Sequence, residues 1–170
     1  MELLLGCGST RDKRIFPFKK KGWTELVTCD YNDYHKPDVL WDLNKTPWPW
    51  RDDTFDEVHA YEVFEHLGQQ GDYHAFFEQF TEVWRILKPG GLFCATVPAL
   101  DSKWLWGDPS HTRVITAQSL TFLNQQEYRD QVGKTPMSDF RDIYKADLRL
   151  IWEHTQDYTF LFVLQAHKSS

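Results

Sequence analysis

The first hundred residues alternate between short apolar runs and polar or glycine-rich breaks. Each run is followed by glycine, proline or an acidic residue, which is typical of strands that end in loops. The pattern predicts five strands in this part of the chain, at residues 2–5, 24–29, 39–41, 55–61 and 92–97. Because helical segments separate some of these strands, we expect a mostly parallel sheet.

The spacing of apolar residues changes to a helical period between residues 73 and 87. Seven apolar positions recur three or four residues apart: Tyr73, Phe76, Phe77, Phe80, Val83, Trp84 and Leu87. This spacing predicts an amphipathic helix lying on the sheet, ended by Lys88-Pro89-Gly90-Gly91. A second helix is predicted over residues 117–124. Residues 10–16 precede Pro17 and allow a helix of only one or two turns.

The last part of the chain predicts two more strands, at residues 144–152 and 158–167. A short turn near residues 154–157 joins them, so they must be antiparallel to each other. We found no internal repeat, low-complexity tract or linker. We therefore expect one α/β domain over residues 1–170, with its ligand beyond the carboxyl ends of the strands, next to the first strand.

Charge and cysteine content narrow the classes of partner. The formal net charge of −6 gives no basic surface for nucleic acid or for an anionic membrane. The basic run Lys19-Lys20-Lys21 is interpreted as a solvated loop. No apolar stretch approaches the roughly 20 residues that span a bilayer, and the first residues lack the features of a signal peptide. Three cysteines without paired spacing, Cys7, Cys29 and Cys94, indicate reduced thiols and a cytoplasmic protein.

Acidic residues follow three of the predicted strands, after a glycine turn at the end of the first. Gly6 and Gly8 remove side chains where a backbone can approach a ligand closely. Asp30 lies 22 residues after Gly8, where a carboxylate can accept both hydroxyl hydrogens of a ribose. Asp42 ends the third strand, where it can face an adenine edge, and Glu62 follows the fourth. Loop capping is the alternative role for any one of these acids.

Three competing nucleotide or metal motifs fit the sequence poorly. A dinucleotide-binding turn would place a third glycine where Arg11 stands. No Gly-Lys-Ser/Thr follows the turn, which excludes a P-loop. Glu65-His66 is not part of a His-Glu-x-x-His zinc protease motif.

Four motifs in order resemble those of the class I S-adenosylmethionine-dependent methyltransferases, over residues 3–98. The first two are the glycine turn, Leu4-Leu5-Gly6-Cys7-Gly8, and the acidic strand end, Cys29-Asp30. The fourth-strand signature is similar to residues 53–58 followed by residues 63–67. The most specific element is Arg85-Ile86-Leu87-Lys88-Pro89-Gly90-Gly91, which resembles the family's "RVLKPGG" segment.

The resemblance implies a Rossmann-like methyltransferase fold with S-adenosylmethionine as cofactor. Its seven-stranded sheet would have the order 3-2-1-4-5-7-6, with strand 7 antiparallel. The implied cofactor-binding residues are Gly6, Cys7, Gly8, Asp30, Tyr31, Asp42, Leu43, Tyr61 and Glu62. The chain departs from many members at Thr10, where they carry a third glycine, and in its abbreviated first helix. Residues 108–113 resemble a segment of bacterial and phage-type members that share this short helix.

Methyl transfer from a sulfonium is an in-line displacement, so alignment of the reacting atoms matters most. A general base is needed only where the acceptor keeps a proton at neutral pH. His111 is the first candidate for this base and His66 the second, although either ring could have a purely structural role. A metal shared by His66, His111 and Asp108 is also conceivable. No sequence spacing enforces it, so no metal is expected.

The acceptor is expected opposite the fourth strand, under residues 101–113 and 68–74. Trp48, Trp50, Trp104 and Trp106 could line its pocket, although at least two of these rings are expected to anchor loops. His59-Ala60-Tyr61-Glu62 stands where nucleic-acid amino-methyltransferases carry Asp/Asn-Pro-Pro-aromatic, which excludes that substrate class. We expect a small-molecule, sugar, lipid or peptide-like acceptor. The alternative is a non-catalytic S-adenosylmethionine-binding regulatory or partner protein.

Overall fold

A seven-stranded sheet forms the centre of the molecule. The computed structural model describes residues 1–17 and 21–168, and within them the strands have the order β3-β2-β1-β4-β5-β7-β6. In chain order they are β1 (Glu2–Leu5), β2 (Leu26–Asp30), β3 (Val39–Leu40), β4 (Phe55–Tyr61), β5 (Leu87–Pro98), β6 (Leu148–Gln156) and β7 (Thr159–Ala166). The predicted fold class and strand order are confirmed.

The register of the parallel strands brings the predicted ligand-binding loops to one edge of the sheet. β1 lies between β2 and β4, and Leu5 pairs with Cys29 on one side and Ala60 on the other. The loops that follow these strands therefore begin at the same level. β7 is inserted antiparallel between β5 and β6, with Pro98 opposite Thr159. This pairing brings the turn between β6 and β7 to the same edge.

The helix predicted from residue 73 is present as α1 (Tyr73–Ile86). The Asp72 side chain caps it by accepting a hydrogen bond from Ala75 N, and Phe80 and Val83 are fully buried against the sheet. The predicted start of the fifth strand at residue 92 is wrong. β5 already begins at Leu87, which pairs with Phe55, and a register shift follows within the pairing with β4.

Arg85, from the most specific motif of the sequence, holds the tryptophan-rich loop against α1. Its guanidinium donates to the carbonyl oxygens of Trp48 and Trp50 at 3.1 and 2.7 Å. It also bonds the carboxylates of Asp52 and Glu82 at 2.9 and 2.7 Å. Five donors in a fixed plane suit this task because each points at a separate oxygen. Trp48 and Trp50 thus anchor a loop rather than line a pocket.

Two helix predictions need correction. Residues 10–16 contain no helix; this segment crosses the sheet as irregular chain. The helix predicted over residues 117–124 is two helices, α2 (Ala117–Thr121) and α3 (Gln125–Gln131). The break falls at Asn124, whose side chain accepts a hydrogen bond from Gln126 N and starts α3. An Asn in this position favours a new N-cap over continuation of the preceding helix.

The bounds of the C-terminal strands also differ from the prediction: β6 begins and ends four residues later, and β7 is one residue shorter at each end. β6 starts at Leu148 because Tyr144 turns inward and donates from its hydroxyl to Leu123 O at 3.1 Å. The tight turn between β6 and β7 consists of Asp157 and Tyr158, which both have positive φ.

The lysine run at residues 19–21 lies partly outside the described residues. Among the described helices, none has the length and apolar character needed to cross a membrane.

A buried ion network occupies the sheet face beneath the irregular segment 10–16. Lys13 Nζ lies 2.6 Å from Glu57 Oε2 and 3.3 Å from Glu2 Oε2, and all three side chains are buried. His59 Nε2 bonds the same Glu57 oxygen at 2.9 Å. Burial lowers the pKa of His59, which favours the neutral ring. One ammonium therefore satisfies the carboxylates on β1 and β4.

Replacement of Lys13 by Met is expected to lower the free energy of unfolding by about 3 kcal/mol, since it removes the cation that bonds the buried carboxylate of Glu57. Chemical denaturation of the purified protein measures this loss. The control is Lys134→Met, because Lys134 is exposed, and a surface change of this kind alters stability by about 0.5 kcal/mol or less. Equal stability of the two variants would contradict the assigned role of Lys13.

Candidate functional site

The turn after β1 has a shape that only glycine permits at residue 6. Gly6 has φ +58°, and a Cβ built on it would lie 2.4 Å from Cγ2 of Val63. Both the left-handed backbone conformation and the close contact with Val63 therefore exclude a side chain at residue 6. Cys7 N donates to Cys29 O at 3.0 Å, which ties the turn to the end of β2.

Asp30 closes the same edge and faces the glycine turn. Its side chain is buried within the site, with Oδ2 accepting from Gly8 N and Oδ1 from Asn32 N, each at 2.9 Å. A carboxylate has about four acceptor positions, so two remain for hydroxyl groups of a ligand. The carboxylate thus orders two loops and still offers acceptors to the cavity.

A cavity of about 580 Å³ opens at this edge, within the usual size range of small-ligand sites. Residues at the ends of β1, β2, β3 and β4 and in the loops that follow them, with one residue from the loop after β5, line it: Gly6, Asp30, Tyr31, Trp41, Asp42, Leu43, Asn44, Glu62, Val63, His66, Leu67 and Ser110. Apolar side chains provide walls for a flat ring, while carboxylates provide acceptors for hydroxyl and amino groups. This set of groups fits a nucleoside joined to an amino acid, as in S-adenosylmethionine.

Three residues that the resemblance implied for cofactor binding are not among those that line the cavity. Cys7 and Tyr61 point into a buried cluster on the other side of the sheet. The Tyr61 hydroxyl accepts from Arg14 N and Ile15 N, and burial raises its pKa to about 12. Gly8 contributes through its backbone by bonding Asp30. Successive residues of a strand point to opposite faces of the sheet, so the position of Tyr61 in β4 decides which face its ring occupies. The motif alone does not reveal that face.

A second cavity, of about 590 Å³, lies beside the first and shares Glu62 with it. Residues from the loop after β5 and from the β6–β7 turn line it: Pro98, Asp101, Ser102, Lys103, Trp104, His111, Asp157, Tyr158 and Thr159. The predicted contribution of residues 101–113 therefore has a structural counterpart. Residues 68–74 do not line this cavity, since residues 69–73 face a separate hollow beside α1.

His66 and His111 meet at the wall between the two cavities. Their ring centroids are 4.8 Å apart, with the rings nearly perpendicular. The Nδ1 atoms lie 3.1 Å and 3.2 Å from the carbonyl oxygens of Ser110 and Leu105. Because a carbonyl oxygen only accepts, each Nδ1 carries a proton, and Nε2 is the ring nitrogen that can offer a lone pair.

Glu65 lies next to these rings and is the most unusual acidic residue in the site. Its side chain is 1% exposed, and neither carboxylate oxygen has a hydrogen-bond partner in the described part of the chain. Burial, together with the nearby carboxylate of Glu62, raises the pKa of Glu65 to about 9. Arg113 is also buried; it donates from Nε to Phe64 O at 2.8 Å, but its two terminal nitrogens have no partner.

Sequence reasoning missed Glu65, the β6–β7 turn and the part of the cavity wall formed by Trp41 and Asn44. A signal for Glu65 was present: it is an acid within a segment whose neighbours, Val63 and Phe64, are apolar. The residues of the β6–β7 turn give no sign that they belong to the site. The turn lies there because β7 pairs antiparallel with β5.

The fold and the first cavity define a Rossmann-like protein with a crevice at the carboxyl ends of its strands, where ligands of such folds bind. A family model described as a methyltransferase domain matches residues 3–95. The chain belongs to this methyltransferase family. No curated protein sequence matches it significantly.

Several solved structures share the fold. A SAM-dependent methyltransferase from Archaeoglobus fulgidus is 16% identical, with a TM-score of 0.58 over 96% of this chain and 85% of that one. A chain of the complex between the Haloferax volcanii Trm112 methyltransferase activator and its methyltransferase partner is 18% identical, with a TM-score of 0.57 over 98% and 82%. A SAM-dependent methyltransferase from Aquifex aeolicus is 13% identical, with a TM-score of 0.55 over 97% and 81%.

Replacement of Gly6 by Ala is expected to distort the turn and reduce ligand binding in the first cavity. The left-handed backbone alone costs about 1–2 kcal/mol with a Cβ present, and the contact with Val63 adds to it. Calorimetric titration with S-adenosylmethionine, together with thermal unfolding, measures both effects. Gly22→Ala is the control, because its φ is not left-handed and a Cβ there has no contact within 4 Å. Unchanged binding by the Gly6 variant would contradict this account of the turn.

Proposed function

We propose that this protein binds S-adenosylmethionine in the first cavity and transfers its methyl group to an acceptor in the second. The observation that carries the proposal is that the two cavities are adjacent and share the side chain of Glu62. A methyl group passing from one site to the other has only a short distance to cover. This is the arrangement that an in-line displacement requires.

The cofactor would lie along the edge of the sheet, with its ribose on Asp30. The carboxylate of Asp30 would accept the two ribose hydroxyls, and the adenine would lie against Leu43 with its edge towards Asp42. The methionine part would follow the turn at Gly6, where no side chain blocks the backbone. Tyr31 is 78% exposed at the rim and would cover the adenosine from the solvent side.

The second cavity fits a small acceptor with a flat or apolar part and polar groups. Trp104 and Tyr158 provide aromatic surface, while Asp101 and Lys103 provide charges of both signs. When bound, S-adenosylmethionine supplies an electrophilic methyl group. The acceptor atom forms the new bond to that carbon as the sulfur–carbon bond breaks, and the sulfur keeps the electron pair. Nε2 of His111 is the ring nitrogen that would take the proton of a hydroxyl acceptor.

A non-catalytic role is the second candidate, in which the protein binds S-adenosylmethionine as a regulatory module or partner subunit. One similar structure comes from a complex with a methyltransferase activator. That resemblance favours a protein that acts together with a second chain. This role predicts binding of the cofactor without turnover of any acceptor by the isolated chain.

Replacement of Asp30 by Asn is expected to weaken S-adenosylmethionine binding about tenfold to a hundredfold. The change replaces charge-assisted hydrogen bonds worth about 1.5–3 kcal/mol by neutral ones. Isothermal titration with S-adenosylmethionine, its demethylated product and NAD gives the affinities. Asp33→Asn is the matched control, since Asp33 is an exposed acid in the same loop. Preference for NAD, or equal affinity of both variants, would refute the proposed cofactor site.

Replacement of Trp104 by Ala is expected to raise KM for the acceptor about tenfold and to leave the Kd of S-adenosylmethionine within about twofold. The reason is that Trp104 lines only the second cavity. Release of the demethylated cofactor from a panel of hydroxyl acceptors measures turnover. Trp106→Ala is the control, because Trp106 is similarly exposed and does not line the cavity. Tight cofactor binding without turnover of any acceptor would favour the non-catalytic role.

A further inference from the structure

Three potential metal ligands meet at the wall between the two cavities. Glu65, His66 and His111 each offer one ligand atom, and these atoms lie within 4.8 Å of one another. His66 lines the first cavity and His111 lines the second. The cluster therefore lies where the two proposed binding sites meet.

The carboxylate of Glu65 is an independent indication of a missing partner. A buried carboxylate normally accepts several hydrogen bonds, because the loss of water around it is otherwise costly. Among the described residues, neither oxygen of Glu65 has a hydrogen-bond partner, and the closest basic atom, His66 Nε2, is 3.9 Å away. Arg113 does not supply the missing bonds, since its two terminal nitrogens also have no hydrogen-bond partner among these residues. One oxygen of Glu65 lies within 4.8 Å of a ring nitrogen of each histidine.

The hydrogen bonds of the two histidines leave one nitrogen of each ring for a metal. Backbone carbonyl oxygens accept from both Nδ1 atoms, so Nε2 is the nitrogen that each ring can offer. A metal-bound histidine commonly donates its second N–H to a carbonyl in this way, which fixes the ring. Asp108, which the sequence suggested as a third ligand, accepts from Ser110 N and Oγ and is partly exposed. Its Oδ2 lies 3.8 Å from His111 Nε2, but it does not belong to the group of three ligand atoms that lie within 4.8 Å of one another.

We propose that Glu65, His66 and His111 form a site for a divalent transition-metal ion. Two imidazole nitrogens and one carboxylate oxygen suit Zn²⁺, Mn²⁺ or Fe²⁺, whereas Ca²⁺ and Mg²⁺ prefer oxygen ligands throughout. Three protein ligands leave coordination positions open, as in catalytic metal sites. Glu62 stands beside the cluster, and its charge adds to the attraction for a cation.

The position of the ion suggests which ligand occupies its open coordination positions. This inference about the ligand rests on the proposed function. The cluster touches both cavities, so an oxygen of the acceptor can reach the metal. A hydroxyl bound to a divalent ion loses its proton more easily. With the metal present, Nε2 of His111 is a ligand, and the ion replaces the histidine as the group that promotes proton loss.

The test is direct titration of the chelator-treated, untagged chain with Mn²⁺ and Zn²⁺. Calorimetry and, for Mn²⁺, electron paramagnetic resonance are expected to show one ion bound per chain. Glu65→Gln and His66→Ala are each expected to weaken binding at least tenfold. The control is His154→Asn, because His154 is exposed on β6, and it is expected to bind like the wild type. Thermal unfolding checks that each variant is folded.

Two outcomes would overturn the metal site. One is the absence of stoichiometric binding to the wild-type chain, and the other is wild-type affinity in both folded ligand variants. S-adenosylmethionine binding is measured separately on the same samples. Retained cofactor binding without metal binding would reject this site and leave the proposed function intact.

Discussion

The carboxylate of Asp30 is the interaction on which the ligand-binding edge depends. It accepts one hydrogen bond from the turn after β1 and another from the loop after β2, and thereby fixes the distance between them. The parallel register of β1 and β2 brings the two loops to the same level before that bond forms. Strand pairing and one buried acid together create the crevice, and no long lid is needed to define it.

The sheet could be predicted from the sequence because its strands carry a simple physical signal. Apolar runs such as residues 3–5 are followed by a residue that disfavours a buried strand, and the same signal places Asp30 and Glu62 at strand ends. The helical spacing from Tyr73 gave α1 to within one residue at each end. These features are local, so neighbouring residues determine them.

The features of the structure that the sequence did not predict depend on contacts between residues far apart in the chain. The segment 10–16 remains irregular because its Lys13 is satisfied by acids on β1 and β4, which no local pattern shows. Tyr61 belongs to the correct motif, yet its side chain lies on the opposite face of the sheet. Likewise, the sequence suggested Asp108 for a cluster with the histidines and did not suggest Glu65. Only the fold shows which of the two acids lacks hydrogen-bond partners.

The two ends of the β6–β7 hairpin have different surroundings. Its tip, Asp157 and Tyr158, borders the second cavity, while most of β6 is exposed at the end of the sheet. Insertions or substitutions at this tip can therefore change the shape of the second cavity without disturbing the residues around Asp30. Relatives with this architecture have a route to diverge in what they modify while keeping the same methyl donor.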